Sequence, residues 1–166
     1  MLWWVKRDCR LSDNEALTRA LATSECVVPL FVFEPLVLEG PDWSSFHTQC
    51  QHQAVTALRK NLRHFGSDLI VRSGDIITVL TALRATLPFR AIYAHEEVGL
   101  AHTYQRDIAV AAWCAQHEIE FIEVPCNGVR RGGNDRNTWA SHFRRAMDAP
   151  AVPLPATRLR RTALPS

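Results

Sequence analysis

Five short apolar runs punctuate the first 124 residues, each parted from the next by a stretch of helical periodicity, and this alternation restricts the chain more than any other feature. The runs lie at residues 2–5, 27–33, 69–71, 91–94 and 118–124. Runs this short suit strands rather than helices. The second, Val-Val-Pro-Leu-Phe-Val-Phe, is apolar on both faces, as in strands covered by helices above and below. Pro29 stands near its start, where a missing N–H is best tolerated. The last run alternates acidic and apolar residues, which predicts an edge strand with one face in water.

The intervening segments read as helices. Residues 14–22 place Ala16, Leu17, Ala20 and Leu21 on one face, with Asp13 as the expected N-cap. Residues 45–65 carry a stripe of Val55, Leu58, Leu62 and Phe65, and Gly66 is placed to end it as a left-handed C-cap. Gly74-Asp75 turns into a helix bearing Ile76, Leu80, Leu83 and Leu87, which Pro88 stops. Residues 101–117 form the fourth helix, and residues 34–43, with Pro35, Gly40 and Pro41, form a loop. Strands alternating with helices in this order require right-handed crossovers. They predict an α/β fold: a Rossmann-like, doubly wound five-stranded parallel sheet with helices on both faces. Ligands of such sheets sit beyond the carboxyl ends of the strands, where the strand order reverses. The loops at residues 6–13, 33–43, 73–75 and 95–103 are therefore the places for a site.

The character changes at Pro125. Asn127-Gly128, Gly132-Gly133 and four prolines dominate the rest, with one helical stripe of Trp139, Phe143 and Met147. Charge divides at the same point. Residues 1–124 carry 11 Lys/Arg against 15 Asp/Glu, whereas residues 125–166 carry 8 Arg against 2 Asp. Residues 1–124 are thus expected to form the domain, and residues 125–166 a basic, Pro-rich connector. Such a segment either packs on a partner domain or contacts nucleic acid directly, the latter recognisable by steep weakening with salt.

Composition and missing motifs exclude much else. No G-x-S-x-G, H-E-x-x-H, Walker or G-x-G-x-x-G pattern is present, so the common self-sufficient enzymes of doubly wound folds are set aside. The five cysteines are odd in number and show no C-x-x-C spacing, which favours a reducing, cytoplasmic setting. Lys6, Arg7, Asp8 and Arg10 interrupt the first apolar run, so no signal peptide is read, and residues 27–33 are too few to span a bilayer. His47, Cys50 and His52 do not share one helix face, so no metal is expected there.

The run from Trp3 to Leu17, with Arg7, Asp8, Arg10, Asp13, Asn14, Ala16 and Leu17 at fixed spacing after a first strand, resembles the opening of the photolyase/cryptochrome family. That pattern is strand-R-x-D-L-R-x-x-D-N-x-A-L; Cys9 departs from its Leu, and Lys6-Arg7 stands where many members have Arg-Arg, Arg-Gln or Lys-Arg. Val28-Pro29-Leu30-Phe31-Val32-Phe33 with Pro35, the passage from Leu58 through Gly66-Ser67 to Gly74-Asp75, and Tyr93-Ala94-His95-Glu96-Glu97 with Arg106-Asp107 continue the resemblance in order. It covers residues 2–148. The His95-Glu96-Glu97-Val98-Gly99 loop and residues 125–131 resemble a bacterial cryptochrome-like, deoxyribodipyrimidine-photolyase-related branch.

The resemblance implies the N-terminal α/β module of a flavoprotein for light-driven DNA repair or blue-light sensing. Members often hold an antenna chromophore of folate, deazaflavin, flavin or lumazine type in this module. FAD and the DNA contact belong to a C-terminal helical domain, the expected partner. Antenna contacts are expected from Arg7, Asp8, Phe33, Glu34, Pro35, His95, Glu96 and Glu97, with Phe33 or Trp43 as an apolar floor. The family includes the lyases that split pyrimidine dimers, but no catalytic residue is expected in this chain, which alone is expected to be inactive, monomeric or weakly associating, and off the membrane. The alternative of another class is a stand-alone nucleotide-binding module of universal-stress or electron-transfer-flavoprotein type. Against it, the acidic loop after the fourth strand repels phosphate.

Overall fold

The computed structural model describes residues 1–24, 26–132 and 135–154. Its strands are β1 (Leu2–Val5), β2 (Val28–Phe33), β3 (Ile70–Ser73), β4 (Ala91–His95) and β5 (Glu120–Val124). Its helices are α1 (Glu15–Thr23), α2 (Pro35–Leu38), α3 (Ser45–His64), α4 (Ile76–Thr86), α5 (Ala101–Gln116) and α6 (Arg136–Met147). All strand pairs are parallel, in the order β3-β2-β1-β4-β5. The predicted sheet is therefore the observed one. The chain winds outward from β1 through β2 to β3, then returns to the other side of β1, so the order reverses between β1 and β4.

The side-chain alternation of β1 divides the core. Leu2 and Trp4 enter the layer under α4 and α5, with Leu80, Leu83, Val110 and Trp113. Trp3 and Val5 enter the layer under α1 and α3, with Leu17, Ala20, Leu58 and Leu62. A strand covered on both sides must be apolar at every position, and Leu2–Val5 is buried throughout. β5 is an edge, exposed at Glu120 and buried only at Val124.

The helix ends follow local chemistry. Gly66 takes φ +84° after α3, and its N–H and that of Ser67 donate to the Arg63 and Leu62 carbonyls, a Schellman ending that an L side chain would strain. Asp75 caps α4 by accepting from the Thr78 N–H. The start of α1 corrects the expectation: the cap is Asn14, whose Oδ1 accepts from the Leu17 N–H at 2.9 Å. Asp13 sits instead at φ +51°. Its carboxylate pairs with Arg10 and accepts from the Val152 N–H, while its own N–H donates to the Val152 carbonyl. Residues 34–43 are likewise not wholly loop, because Pro35 opens the single turn of α2, its fixed φ suiting a first helical position. No helix among the described residues is long and apolar enough to cross a membrane.

Candidate functional site

The reversal of strand order leaves a gap between the carboxyl ends of β1 and β4, and charged residues gather there. β1 ends in Lys6-Arg7-Asp8 and β4 in His95-Glu96-Glu97. The buried Asp8 carboxylate accepts from His95 Nδ1 at 2.7 Å and from Asn14 Nδ2 at 2.9 Å. It also accepts from the Lys6 N–H at 3.3 Å. Burial opposes ionisation of Asp8, but the His95 and Asn14 hydrogen bonds and the imidazole beside it outweigh burial and hold its pKa below the usual value. An ionised Asp8 requires Nδ1 of His95 to donate. Nε2 is then the atom that the 4% exposed ring has left for a ligand.

Behind this pair lies a second, tighter cluster. Arg106 of α5 reaches Glu34 at 2.8 Å, Asp107 at 2.8 Å and Glu97 at 3.3 Å. Lys6 pairs with Asp107 at 2.5 Å. The Trp4 ring carries both cations, Arg106 at 4.8 Å and Lys6 at 5.1 Å from its centroid. Three carboxylates therefore share two buried cations, and the outcome differs among them. Burial dominates at Glu34 and pushes its pKa up to about 7; Arg106 opposes this, but Asp107 and Asp75 add like charge. Glu97 goes the other way: burial is outweighed by the Gly99 N–H and by Arg7, Lys6 and Arg106, which hold it low. A Cβ at Gly99 would lie 2.7 Å from the Arg7 guanidinium and 2.9 Å from Glu97 Oε1, so a side chain there would push the exposed Arg7 away from Glu97.

Two kinds of space open onto these groups. An open cleft has two lobes, of about 250 Å³ and 490 Å³, that share Arg10, His95, Cys126 and Asn127. The smaller is walled by Arg7, Asp8, Glu96 and Glu97, the larger by His142 and Met147 of α6 and by residues 149–152. The second space, beside Glu34, Arg106 and Trp43, is only about 30 Å³, room for roughly one water. Burial raises the pKa of the Cys126 thiol, which disfavours its thiolate.

Of the eight residues expected to meet a chromophore, Arg7, Asp8, His95, Glu96 and Glu97 come together around the smaller lobe. Glu34 is bound to Arg106 beside the closed space. Phe33 stacks on His52 at 4.4 Å, and Pro35 opens α2. Trp43 bonds Thr48 through its indole N–H. Sequence reasoning did not include Lys6, Asn14, Arg106, Asp107, Cys126 or Asn127 in the site. For Arg106 and Asp107 a signal was present: both fall on the stripe of α5 that also holds Thr103, Val110, Trp113 and Cys114, and charge on a core-facing stripe needs a partner.

The comparisons agree with this architecture. A family model described as DNA photolyase matches residues 1–146. Cryptochrome DASH of Gloeobacter violaceus is 35% identical over 117 residues, covering 67% of this chain and 23% of its own length. The chloroplastic/mitochondrial cryptochrome DASH of rice (Oryza sativa) is 30% identical over 141 residues, covering 81% and 23%. The chain thus spans about a quarter of the length of these relatives. Among solved structures, a class III photolyase of Agrobacterium tumefaciens superimposes with a TM-score of 0.79 at 18% identity, over 98% of this chain and 35% of that one. An archaeal photolyase of Sulfolobus tokodaii, solved with two FAD molecules and linked to a novel light-harvesting cofactor, gives 0.76 at 22% identity, over 97% and 37%.

Proposed function

The chain belongs to the DNA photolyase family, as its N-terminal α/β domain, and on that premise we propose that it is the light-harvesting module of a flavoprotein that repairs DNA or senses blue light. The observation that carries this reading is the two-lobed cleft at the β1/β4 reversal, with the Asp8–His95 pair on its wall. Cleft volume and chemistry fit an antenna chromophore: the lobes together reach the size of small-molecule sites, and fixed polar groups stand beside apolar walls from α6 and residues 149–152. The space beside Glu34 is too small for one, so the proposed contacts centre on the larger cleft, away from Phe33, Glu34 and Pro35. Arg7, Asp8, His95, Glu96 and Glu97 remain, and Arg10 and Asn127 join them.

A bound chromophore of folate, deazaflavin, flavin or lumazine type would supply absorption in the near-ultraviolet and blue. The chain's own part is to fix it. His95 offers Nε2, held in orientation by Asp8, and Arg7 and Arg10 offer guanidinium edges to carbonyl or acidic groups. FAD, DNA and the chemistry of dimer splitting are assigned to a C-terminal helical domain of the parent protein. The family match disfavours the universal-stress or electron-transfer-flavoprotein alternative.

The test is titration of the chain with one representative of each of the four chromophore classes, followed by absorbance and fluorescence. Saturable one-to-one binding of one class, weakened at least tenfold by His95→Ala with unchanged circular dichroism, is expected. Binding that His95→Ala leaves untouched, or no binding of any class, refutes the cleft as the antenna site.

A further inference from the structure

Arg7 lines two spaces at once, the smaller lobe of the cleft and the closed space beside Glu34. Its side chain is 57% exposed and pairs with Glu97 at 3.4 Å. The other contacts of that carboxylate are shorter, the Gly99 N–H at 2.8 Å and Arg106 at 3.3 Å. A long, exposed pair of this kind is weakly held, so the guanidinium moves at little cost.

The groups around the closed space do not balance in charge. Lys6 and Arg106 supply two buried cations, and Glu34, Glu97 and Asp107 three buried carboxyls. Asp107 meets both cations. Glu97 meets Arg106, Arg7 and a backbone N–H, whereas Glu34 meets Arg106 alone among the described residues. Asp75, at the start of α4, adds negative charge toward Glu34. The side of α2 and α3 lines the space only with the neutral Val37, Trp43 and Gln51. Glu34 is therefore the carboxyl that keeps a proton when two cations must serve three, in line with its raised pKa.

With Glu34 protonated, the buried set is two against two, and Arg7 is left to the cleft. With Glu34 ionised, one negative charge is in excess away from water, and Arg7 is the exposed cation on its wall. We propose that Glu34 and Arg7 form a proton-governed switch: ionisation of Glu34 draws the Arg7 guanidinium toward Glu97 and the closed space, and protonation returns it to the cleft. An acidic ligand of the cleft is thus held less firmly as pH rises. The switch goes beyond the antenna reading and acts on the cleft wall whatever the cleft holds. Its test uses no ligand, so that reading can fail while the switch stands.

The test is a nuclear magnetic resonance titration of the whole chain between about pH 5.5 and 8.5, a range that brackets the Glu34 step. It follows the Glu34 side-chain carboxyl carbon, the Arg7 Nε–H, the Gly99 N–H and the His95 ring. Glu34, Arg7 and Gly99 should change together with one midpoint. Glu34→Gln, which keeps an oxygen for Arg106, should hold Arg7 and Gly99 at their low-pH positions throughout. Linkage requires the reverse effect as well: Arg7→Gln removes a cation that favours ionised Glu34 and should raise the Glu34 midpoint by about half a pH unit. The proposal is overturned if Arg7 shows no step while Glu34 titrates, or if its step survives Glu34→Gln. A step in Arg7 that follows the His95 ring instead of Glu34, or a Glu34 midpoint that Arg7→Gln leaves unchanged, overturns it too.

Discussion

Replacing Glu34 by glutamine isolates a buried carboxyl at which burial outweighs the Arg106 partner. Its pKa stands at about 7 in the folded chain against an ordinary 4.5, first because of burial and then because Asp107 and Asp75 add negative charge. Between those values the folded chain keeps a proton that the unfolded chain has released. Stability from this group is therefore complete below 4.5, falls as pH rises through the window, and is level above it. The displacement from 4.5 to about 7 corresponds to about 3 kcal/mol. Glutamine keeps an oxygen for Arg106 and never ionises. The stability of Glu34→Gln relative to wild type should thus rise by about 3 kcal/mol between pH 4.5 and 8, roughly 6–12 °C in melting temperature for a domain of this size. Urea unfolding at constant ionic strength, across that range in both proteins, measures it. Comparing the two proteins cancels groups that titrate alike in both, and Asp8 and Glu97, held low, release their stabilisation only at more acid pH. A gap that stays constant, or that closes as pH rises, would falsify the claim that burial outweighs Arg106 at Glu34.

Arg106→Leu should destabilise the fold by about 3–5 kcal/mol, because Glu34, Glu97 and Asp107 keep their burial and lose a shared cation; urea midpoints read this, and Glu34→Gln in the same background should restore part of it. Asn14→Ala should cost about 1–2 kcal/mol, more than Asp13→Ala, because Asn14 both caps α1 and holds Asp8; equal costs would return the cap to Asp13. Gly66→Ala should cost about 1–2 kcal/mol through the left-handed φ it would impose on alanine, with far-ultraviolet circular dichroism unchanged.

Much of the fold was legible because the information it needs is local. Whether apolar residues recur every second or every third to fourth position is written within a few residues, so five strands and the helices between them could be read, and chain order with crossover handedness then leaves few sheets. The errors were also local and had physical causes. Asp13 and Asn14 are adjacent and both able to cap. Asn14 prevailed because an amide can accept from Leu17 with one atom and donate to Asp8 with the other, which a carboxylate cannot.

The candidate site was legible only in part. The run of charges after β1 and the His-Glu-Glu loop after β4 marked the corner where the cleft lies, since ligands of such sheets bind at strand ends where the order reverses. What those groups do there is a matter of contacts across long stretches of chain: Asp8 with His95 across 87 residues, Glu34 with Arg106 across 72, and Lys6 with Asp107 across 101. No local pattern records at which carboxylate the cations outweigh burial and at which burial prevails. By itself the sequence determined the sheet, its two covered faces and the corner where ligands can bind. Tertiary structure alone decided that Glu34 is spent inside the protein while His95 faces the cleft, because pairing and desolvation depend on distances that only folding sets.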